Sequence, residues 1–444
     1  MKQYQKMKDS GIEWIGNIPE HWEIRKLKQI SSLSAGGTPS RSVGDYWENG
    51  TIPWLSSGEI RNNVISDSAE KITETGFLNS STKLFPKGTV LIAITGEGKT
   101  RGRTSILSIP STANQSVVGM IVQSNSIHNY FLWYYLQSEY YNLRSQSHGS
   151  VQSGLNLDIL KSYPIVFPNS TEEQKQITVF LDKKLKQIDS SISKKEKLVE
   201  LLQEKRQAMI VYVVTKGLDD TVPMKDSGID WIGNIPDHWD VSPLGRNVEI
   251  FTGYPFESEF FEQQGVRLAR GDNVSEGRLR WGDKTRYWKN VTPDMEKYLL
   301  AKDDFLLGMD GSKVGKNYAV VTQYDLPCLL VQRVARLRSK GILIQNYIPY
   351  VIGNIKFVQY VDSVKTNVAI PHMSPNDISK FPLILPPVCE QKDIIEFLNM
   401  RTKNIDSLLT NLVKQIEILK EYRQTINFAA VTGKIDLREE DITS

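Results

Sequence analysis

Cysteine and histidine are the scarce residues of this 444-residue chain, at two and five. The two cysteines, Cys328 and Cys389, make neither a C-x-x-C pair nor an even framework, which argues against a disulfide scaffold and for a reduced, cytoplasmic setting. The five histidines (His21, His128, His148, His238, His372) show no metal-ligand spacing. No run of eighteen or more apolar residues occurs, and the opening MKQYQKMKDSG carries no apolar h-region, so neither membrane spanning nor secretion is expected. One-sided charge is also missing: 54 basic residues stand against 51 acidic ones. That balance permits a nucleic-acid surface without demanding one, because binding responds to local patches rather than totals.

Catalytic signatures are equally thin. Neither H-E-x-x-H nor G-x-S-x-G is present. GEGKTRGRT (96–104) imitates a phosphate loop, but the glycine that G-x-x-x-x-G-K requires five residues before Gly98 is Ala93, so nucleotide binding is rejected. LPPV (385–388) lacks both flanking residues of the amino-methyltransferase tetrapeptide, and PDMEK (293–297) packs nuclease-like carboxylates too tightly to bridge two strands. The chain is expected to be no enzyme.

What the sequence does have is a repeat. MKDSGIEWIGNIPEHWE begins at Met7 and MKDSGIDWIGNIPDHWD at Met224, with fourteen of seventeen positions identical and the other three exchanging Glu for Asp. The same 217-residue offset relates Glu173-Gln174-Lys175 to Glu390-Gln391-Lys392, Ile188-Asp189-Ser190 to Ile405-Asp406-Ser407, and Arg206-Gln207 to Arg423-Gln424. Between about 24 and 165, and again between 241 and 382, similarity fades although the lengths agree. The chain is two copies of one unit, a constant frame around divergent inserts.

The charged end of each copy reads as a helix. A 4-3 spacing runs through Leu181, Leu185, Ile188, Ile192, Lys195, Val199, Leu202, Arg206 and Met209, and through Leu398, Thr402, Ile405, Leu409, Leu412, Ile416, Leu419, Arg423 and Ile426. Seven of nine positions are apolar in each, a coiled-coil seam. Thr171 with Gln174 suits a capping box, and Gly217 and Gly433 suit stops. About 36 residues at 1.5 Å each give a rod of roughly 54 Å. Two bare stripes of matching spacing are expected to pack on each other, antiparallel by pseudo-two-fold symmetry; the alternative docks each stripe on its own globular domain. Lys195, Arg206, Thr402 and Arg423 interrupt the seam, either to fix register or simply to snorkel.

The variable regions are mixed α/β, with strand-like GTVLIAIT (88–95) and DFLLGMD (304–310) and a helix over 127–146 whose aromatics are read as core. Basic residues on glycine-permissive loops suit phosphate and base-edge contacts. The candidates are Thr38 and Arg41 in SAGGTPSRS, Lys99, Arg101 and Arg103 in GEGKTRGRT, and Tyr254 in TGYPF. Arg267 and Arg270 in RLARGDN, Arg278 and Arg280 in GRLRW, and Lys313 and Lys316 in GMDGSKVGKN complete the set. Solvated surface loops are the plainer reading of each. The tryptophan phrases, with Trp14 and Trp22 in one copy and Trp231 and Trp239 in the other, are apolar anchors. They dock either on the base of the helical pair or on two copies of one partner; the internal role is expected.

The two W-I-G-x-I-P-x-H-W phrases, the two E-Q-K helix starts after YPIVFPN and FPLILPP, and the two variable domains resemble the DNA specificity subunit of type I restriction–modification systems. The resemblance spans about Met7 to Asp436. It implies an α/β (α+β) fold with two target-recognition domains separated by an antiparallel coiled coil: residues 1–165, a central helix 166–223, 224–383, and a C-terminal helix with tail 384–444. It also implies double-stranded DNA as ligand, read as two unlike half-sites, and a coiled coil that sets their spacing. No cofactor is implied on this chain. Two methyltransferase subunits with S-adenosylmethionine, and restriction subunits with ATP and Mg, would be its partners. A stand-alone DNA-binding or anti-restriction protein, and a coiled-coil adaptor without nucleic acid, are the competing readings.

Overall fold

The structure, a computed structural model, describes residues 2–96, 98–123, 126–146, 155–365 and 371–439. His148 lies outside them. No helix among the described residues is long and apolar enough to cross a membrane. The chain divides into two compact units, one built from residues up to Glu196 together with those from Lys414 onward, the other from Lys197–Val413. Both divisions fall inside long helices: a central helix, Thr171–Lys216, and a C-terminal helix, Val388–Val431.

In the first unit the repeated phrase folds into a hairpin, Met7–Asp9 against Asn17–Pro19. The next strand, Trp22–Lys26, pairs antiparallel with Pro164–Pro168, the segment that leads into the central helix. Between them lies the variable domain. Its larger sheet runs Ser31–Ala35, Val117–Val122, Val90–Ala93, Thr104–Leu107, Val64–Ile65, and its smaller sheet Thr112–Ala113, Ile52–Leu55, Glu70–Ile72. The core strand Val90–Ala93 is wholly buried, as an uninterrupted apolar run requires.

The second unit repeats this wiring with an identical phrase hairpin and a larger sheet of four strands rather than five. Met224–Asp226 pairs with Asn234–Pro236, and Asp240–Pro243 with Pro382–Leu385. The larger sheet is Val248–Thr252, Val334–Ser339, Phe305–Gly308, Tyr318–Val320; the smaller is Tyr287–Trp288, Val266–Ala269, Cys328–Leu330. In each smaller sheet one neighbour of the middle strand is parallel and the other antiparallel. In the variable domains residue identities diverged while the pairing of these shared strands did not; among the described residues the fifth strand of the first larger sheet, Val64–Ile65, has no counterpart strand in the second larger sheet.

The seam residues face inward as their spacing requires. In the first unit Leu181, Leu185, Ile188 and Ile192 are buried together with Ile416 and Ile426, and Leu419 is half-buried. In the second unit Leu398 and Ile405 are buried, and Val199, Leu202, Leu409 and Leu412 are half-buried. Cross-helix bonds fix the direction: Asp189 meets Arg423 and Lys195 meets Gln415 in the first unit, while Arg206 meets Asp406 in the second. Rising numbers on one helix meet falling numbers on the other, so the pairing is antiparallel. Arg206 and Arg423 thus reach across to the opposite helix, and Thr402 turns its hydroxyl onto Leu398 O of its own helix at 2.7 Å.

Three expectations need correction. The helices have 46 and 44 residues rather than about 36, or roughly 69 and 66 Å at 1.5 Å per residue. The cap of the central helix is Ser170, whose Oγ accepts from Glu173 N–H at 3.4 Å, because the Gln174 side chain that a capping box would use is engaged elsewhere. The helix read over 127–146 is two, Asn129–Ser138 and Tyr140–Ser145, broken at Glu139; its Phe131, Trp133 and Tyr135 are core, as expected.

Candidate nucleic-acid interface

Two adjacent side chains at the start of each long helix hold the frame together. Glu173 is buried and accepts from Tyr4 Oη at 2.7 Å and Trp22 Nε1 at 3.1 Å, with His21 Nε2 at 2.9 Å. One repeat later Glu390 accepts from Trp239 Nε1 at 2.9 Å, with His238 Nε2 at 2.6 Å. The His-Trp of each phrase thus reads the Glu of each Glu-Gln-Lys, which is why the two motifs recur together. Burial and the Glu173 carboxylate push the Tyr4 phenol well above its ordinary value.

The neighbouring glutamine ties in the variable domain. Gln174 Oε1 accepts from His128 N–H at 2.7 Å, and its Nε2 donates to the carbonyls of Ser126 and Pro168. Gln391 does the same with Ile344 N–H at 2.8 Å and the carbonyls of Ile342 and Pro386. Both amides are fully buried, where unpaired polar groups are costly.

Each phrase also receives the far end of the other long helix. A Cβ on Gly433 would lie 2.3 Å from Pro19, and one on Gly217 would lie 3.2 Å from Trp239. The positive φ of both glycines, +70° and +85°, ends the helices at this contact. Trp22 and Trp239 are fully buried; Trp14 and Trp231 are half-exposed, with Trp14 Nε1 donating to Glu139 at 2.8 Å.

On this frame the variable domains present their loops. In the second unit a cleft of about 1290 Å³ opens between loops that follow four strands, and Arg270, Lys284, Lys313, Arg333 and Gln332 line it. Arg270 and Lys313 were among the sequence candidates. Lys284 and Arg333 were not, since neither sits in a glycine-rich basic run. Arg270 pairs with Asp272 at 2.8 Å and Lys313 with Glu276 at 3.7 Å. Arg333 takes a φ of +69° and reaches Asp310 at 3.2 Å, while Asp310 also bonds His372. Arg278 and Arg280 are exposed on a small hairpin, and Lys316 is exposed on a turn.

The remaining candidates of the second unit are more enclosed. Arg267 lies over Trp281 and donates to Tyr324 O at 2.6 Å. Tyr254 packs in an aromatic cluster with Phe256 and Tyr298.

In the first unit a cleft of about 700 Å³ gathers Lys99 and Arg103 with Tyr140, Arg144 and Arg423. Arg101 is half-buried beside it, its carbonyl accepting from Arg144 Nη1 at 2.8 Å. Arg41 stands apart, bidentate to Glu70 at 2.5 and 2.8 Å and lying over Trp47 at 3.7 Å. Thr38 donates to Gln115 Oε1 at 2.6 Å.

Among the described residues no group of three or more His, Cys, Asp or Glu is placed to hold a metal. Cys328 is buried, which pushes its thiol up to about 12, and Cys389 is exposed; both are free.

Comparison with known proteins agrees with this architecture. The specificity subunit of the type I restriction enzyme MjaIX from Methanocaldococcus jannaschii is 25% identical over 442 residues, spanning 96% of each chain. The fold resembles a chain from a structure of complex assembly and conformational transition in the type I R-M system, with a TM-score of 0.70 and 15% identity over 94% of this chain and 99% of that one. It also resembles the HsdS subunit from Thermoanaerobacter tengcongensis, with a TM-score of 0.52 and 15% identity over 94% and 98%. The model of the type I restriction modification DNA specificity domain matches residues 19–201 and 236–418, one match per copy of the repeat. The chain belongs to the type I restriction modification DNA specificity domain family.

Proposed function

We propose that this chain is the DNA-reading subunit of a type I restriction–modification complex, binding a bipartite target with one variable domain on each half-site. One observation carries the reading: two domains that share most of their strand wiring present largely different loop residues from one repeated frame. A constant frame keeps two readers in fixed register, and divergent loops choose two unlike sequences. Phosphate contacts from residues such as Lys99, Arg103, Lys284 and Lys313 position the duplex, and base-edge contacts select the sequence. The paired helices act as the spacer, and joining two weak readers raises selectivity through effective concentration.

The chain itself catalyses nothing in this reading and works in the cytoplasm. S-adenosylmethionine belongs to two methyltransferase partners, one for each copy of the frame, and ATP and Mg to restriction subunits. Exposed apolar residues on the long helices, among them Leu198, Leu201, Leu408 and Ile418, support such partners, since bare apolar helix surface is costly in water. Methylation mapping of cells with and without the chain tests the proposal. An asymmetric bipartite motif that appears only with the chain, together with co-purification of a methyltransferase, is the expected result; an unchanged methylome would overturn it.

A further inference from the structure

The loop residues of the two variable domains largely diverge, but a few exposed residues recur at the repeat offset, among them Lys99 and Lys316, Arg61 and Arg278, and Gln115 and Gln332. Gln115 and Gln332 are related by the 217-residue repeat, and both are exposed. Each is the second residue of a four-residue turn closed by the corresponding hydrogen bond. Val117 N–H donates to Asn114 O at 3.1 Å, and Val334 N–H donates to Val331 O at 3.3 Å.

The strand contacts around each turn correspond. Ile94 N–H donates to Ser116 O at 2.9 Å, and Met309 N–H to Arg333 O at 3.0 Å. A glycine crosses beneath each turn: Gly36 N–H donates to Val117 O, and Gly253 N–H to Val334 O. A Cβ at Gly36 would sit 2.1 Å from Ala113 O, and one at Gly253 would sit 2.3 Å from the Val331 carbonyl carbon, so no side chain fits there.

The turns themselves differ at their third residue, Ser116 in one and Arg333 in the other. In the first, Asn114 Oδ1 accepts from Ser116 N–H at 3.1 Å, an Asx turn. In the second, Arg333 takes the left-handed backbone that non-glycine residues seldom adopt. An exposed glutamine adds nothing to a core, so the fold gives no reason for retaining it at both tips. Thr38 orients Gln115 by donating to its Oε1, and Gln332 lines the large cleft beside Arg270 and Arg333.

A carboxamide offers a donor and an acceptor side by side, the complement of adenine N7 and N6 in the major groove. We propose that Gln115 and Gln332 are equivalent specificity-determining residues, each reading the adenine edge of one A·T pair in its own half-site. The inference rests on the DNA-reading function proposed above.

Its test uses the complex of this chain with its methyltransferase subunit and duplexes carrying single base-pair changes at every specified position. Gln332→Ala should abolish discrimination at one A·T pair of one half-site, a loss of roughly ten- to hundredfold, and leave the other half-site unchanged. Gln115→Ala should do the same in the opposite half-site. Gln→Glu at either position preserves size but cannot donate to N7, so it should lose discrimination at the same pair without any change in packing. An unchanged profile, a uniform fall on all duplexes, or a loss at a G·C pair would overturn the assignment. A wild-type complex that prefers no duplex would instead sink the DNA-reading function itself.

Discussion

The Arg423 guanidinium donates to both carboxylate oxygens of Asp189, at 2.7 and 3.2 Å, and one repeat away Arg206 holds Asp406 at 3.0 and 3.5 Å. Each long helix supplies one arginine and one aspartate, so the pairs report the antiparallel register twice. The aspartates are about half exposed, and exposed ion pairs contribute only about 0.2–1 kcal/mol. A double-mutant cycle on Asp189→Ala and Arg423→Ala should give a coupling of about 0.5 kcal/mol at low salt, shrinking as salt is added. No measurable coupling in urea unfolding at low ionic strength would mean that apolar packing alone sets the register.

Glu173 and Glu390 occupy equivalent places but differ in burial, with side-chain exposures of 7% and 35%. Removing Glu173 strands two donors, Tyr4 Oη and Trp22 Nε1, and each buried unpaired donor costs about 1–3 kcal/mol. Glu173→Ala should therefore destabilise its unit by about 2–4 kcal/mol. Glu390→Ala strands one indole donor and one exposed histidine, and should cost about half as much. Thermal or urea unfolding of the two variants settles the order, and equal losses would contradict it.

The buried Glu139 carboxyl bonds Trp14 Nε1, Asn142 Nδ2 and Tyr163 Oη, yet desolvation raises its pKa above the ordinary 4.5. A raised folded-state value favours the protonated form in the native protein. Its stabilising contribution is complete below the unfolded value and is lost as pH climbs through the folded one. Glu139→Gln retains an acceptor and cannot ionise. The variant should match the wild type in unfolding free energy near pH 4.5 and exceed it increasingly toward neutrality. A difference that stays flat with pH would show that Glu139 ionises in the fold without penalty.

The repeat, the helices and the inward stripe were legible because each is a local pattern: a phrase written twice and a 4-3 apolar spacing. The full helix length was not. Its last turns, through AMIVYVVTK, are apolar on several faces, and Ile210, Val213 and Val214 pack into the second unit's core, so heptad spacing stops marking the helix before it ends. Site residues were legible only in part. Arg41 sits on a promising loop, but Glu70 and Trp47 hold its head group, and sequence does not display such pairings. Arg333 escaped notice because its prominence comes from a backbone turn and from Asp310. The Gln115–Gln332 match lies in plain view at the repeat offset, but a shared residue in a divergent stretch acquires meaning only when the strand contacts around it correspond.

Shortening the helical pair tests the spacer role directly. Deleting 188–194 and 405–411 would keep heptad phase but remove Asp189 and Asp406, and with them both cross-helix arginine pairs. Deleting 195–201 and 412–418 keeps the phase, preserves Asp189, Arg206, Asp406 and Arg423, and removes seven residues from each helix at the same repeat offset. Each helix then loses about 10 Å, the rise of roughly three base pairs when a turn of about ten pairs spans about 34 Å. Because the loops of both variable domains are untouched, both half-sites should survive while the unspecified spacer between them shortens by about three pairs. Methylation mapping reads both quantities at once. A spacer of unchanged length in a complex that still methylates would mean that the helices do not set it, whereas altered half-sites would mean that the deletion had disturbed the domains themselves.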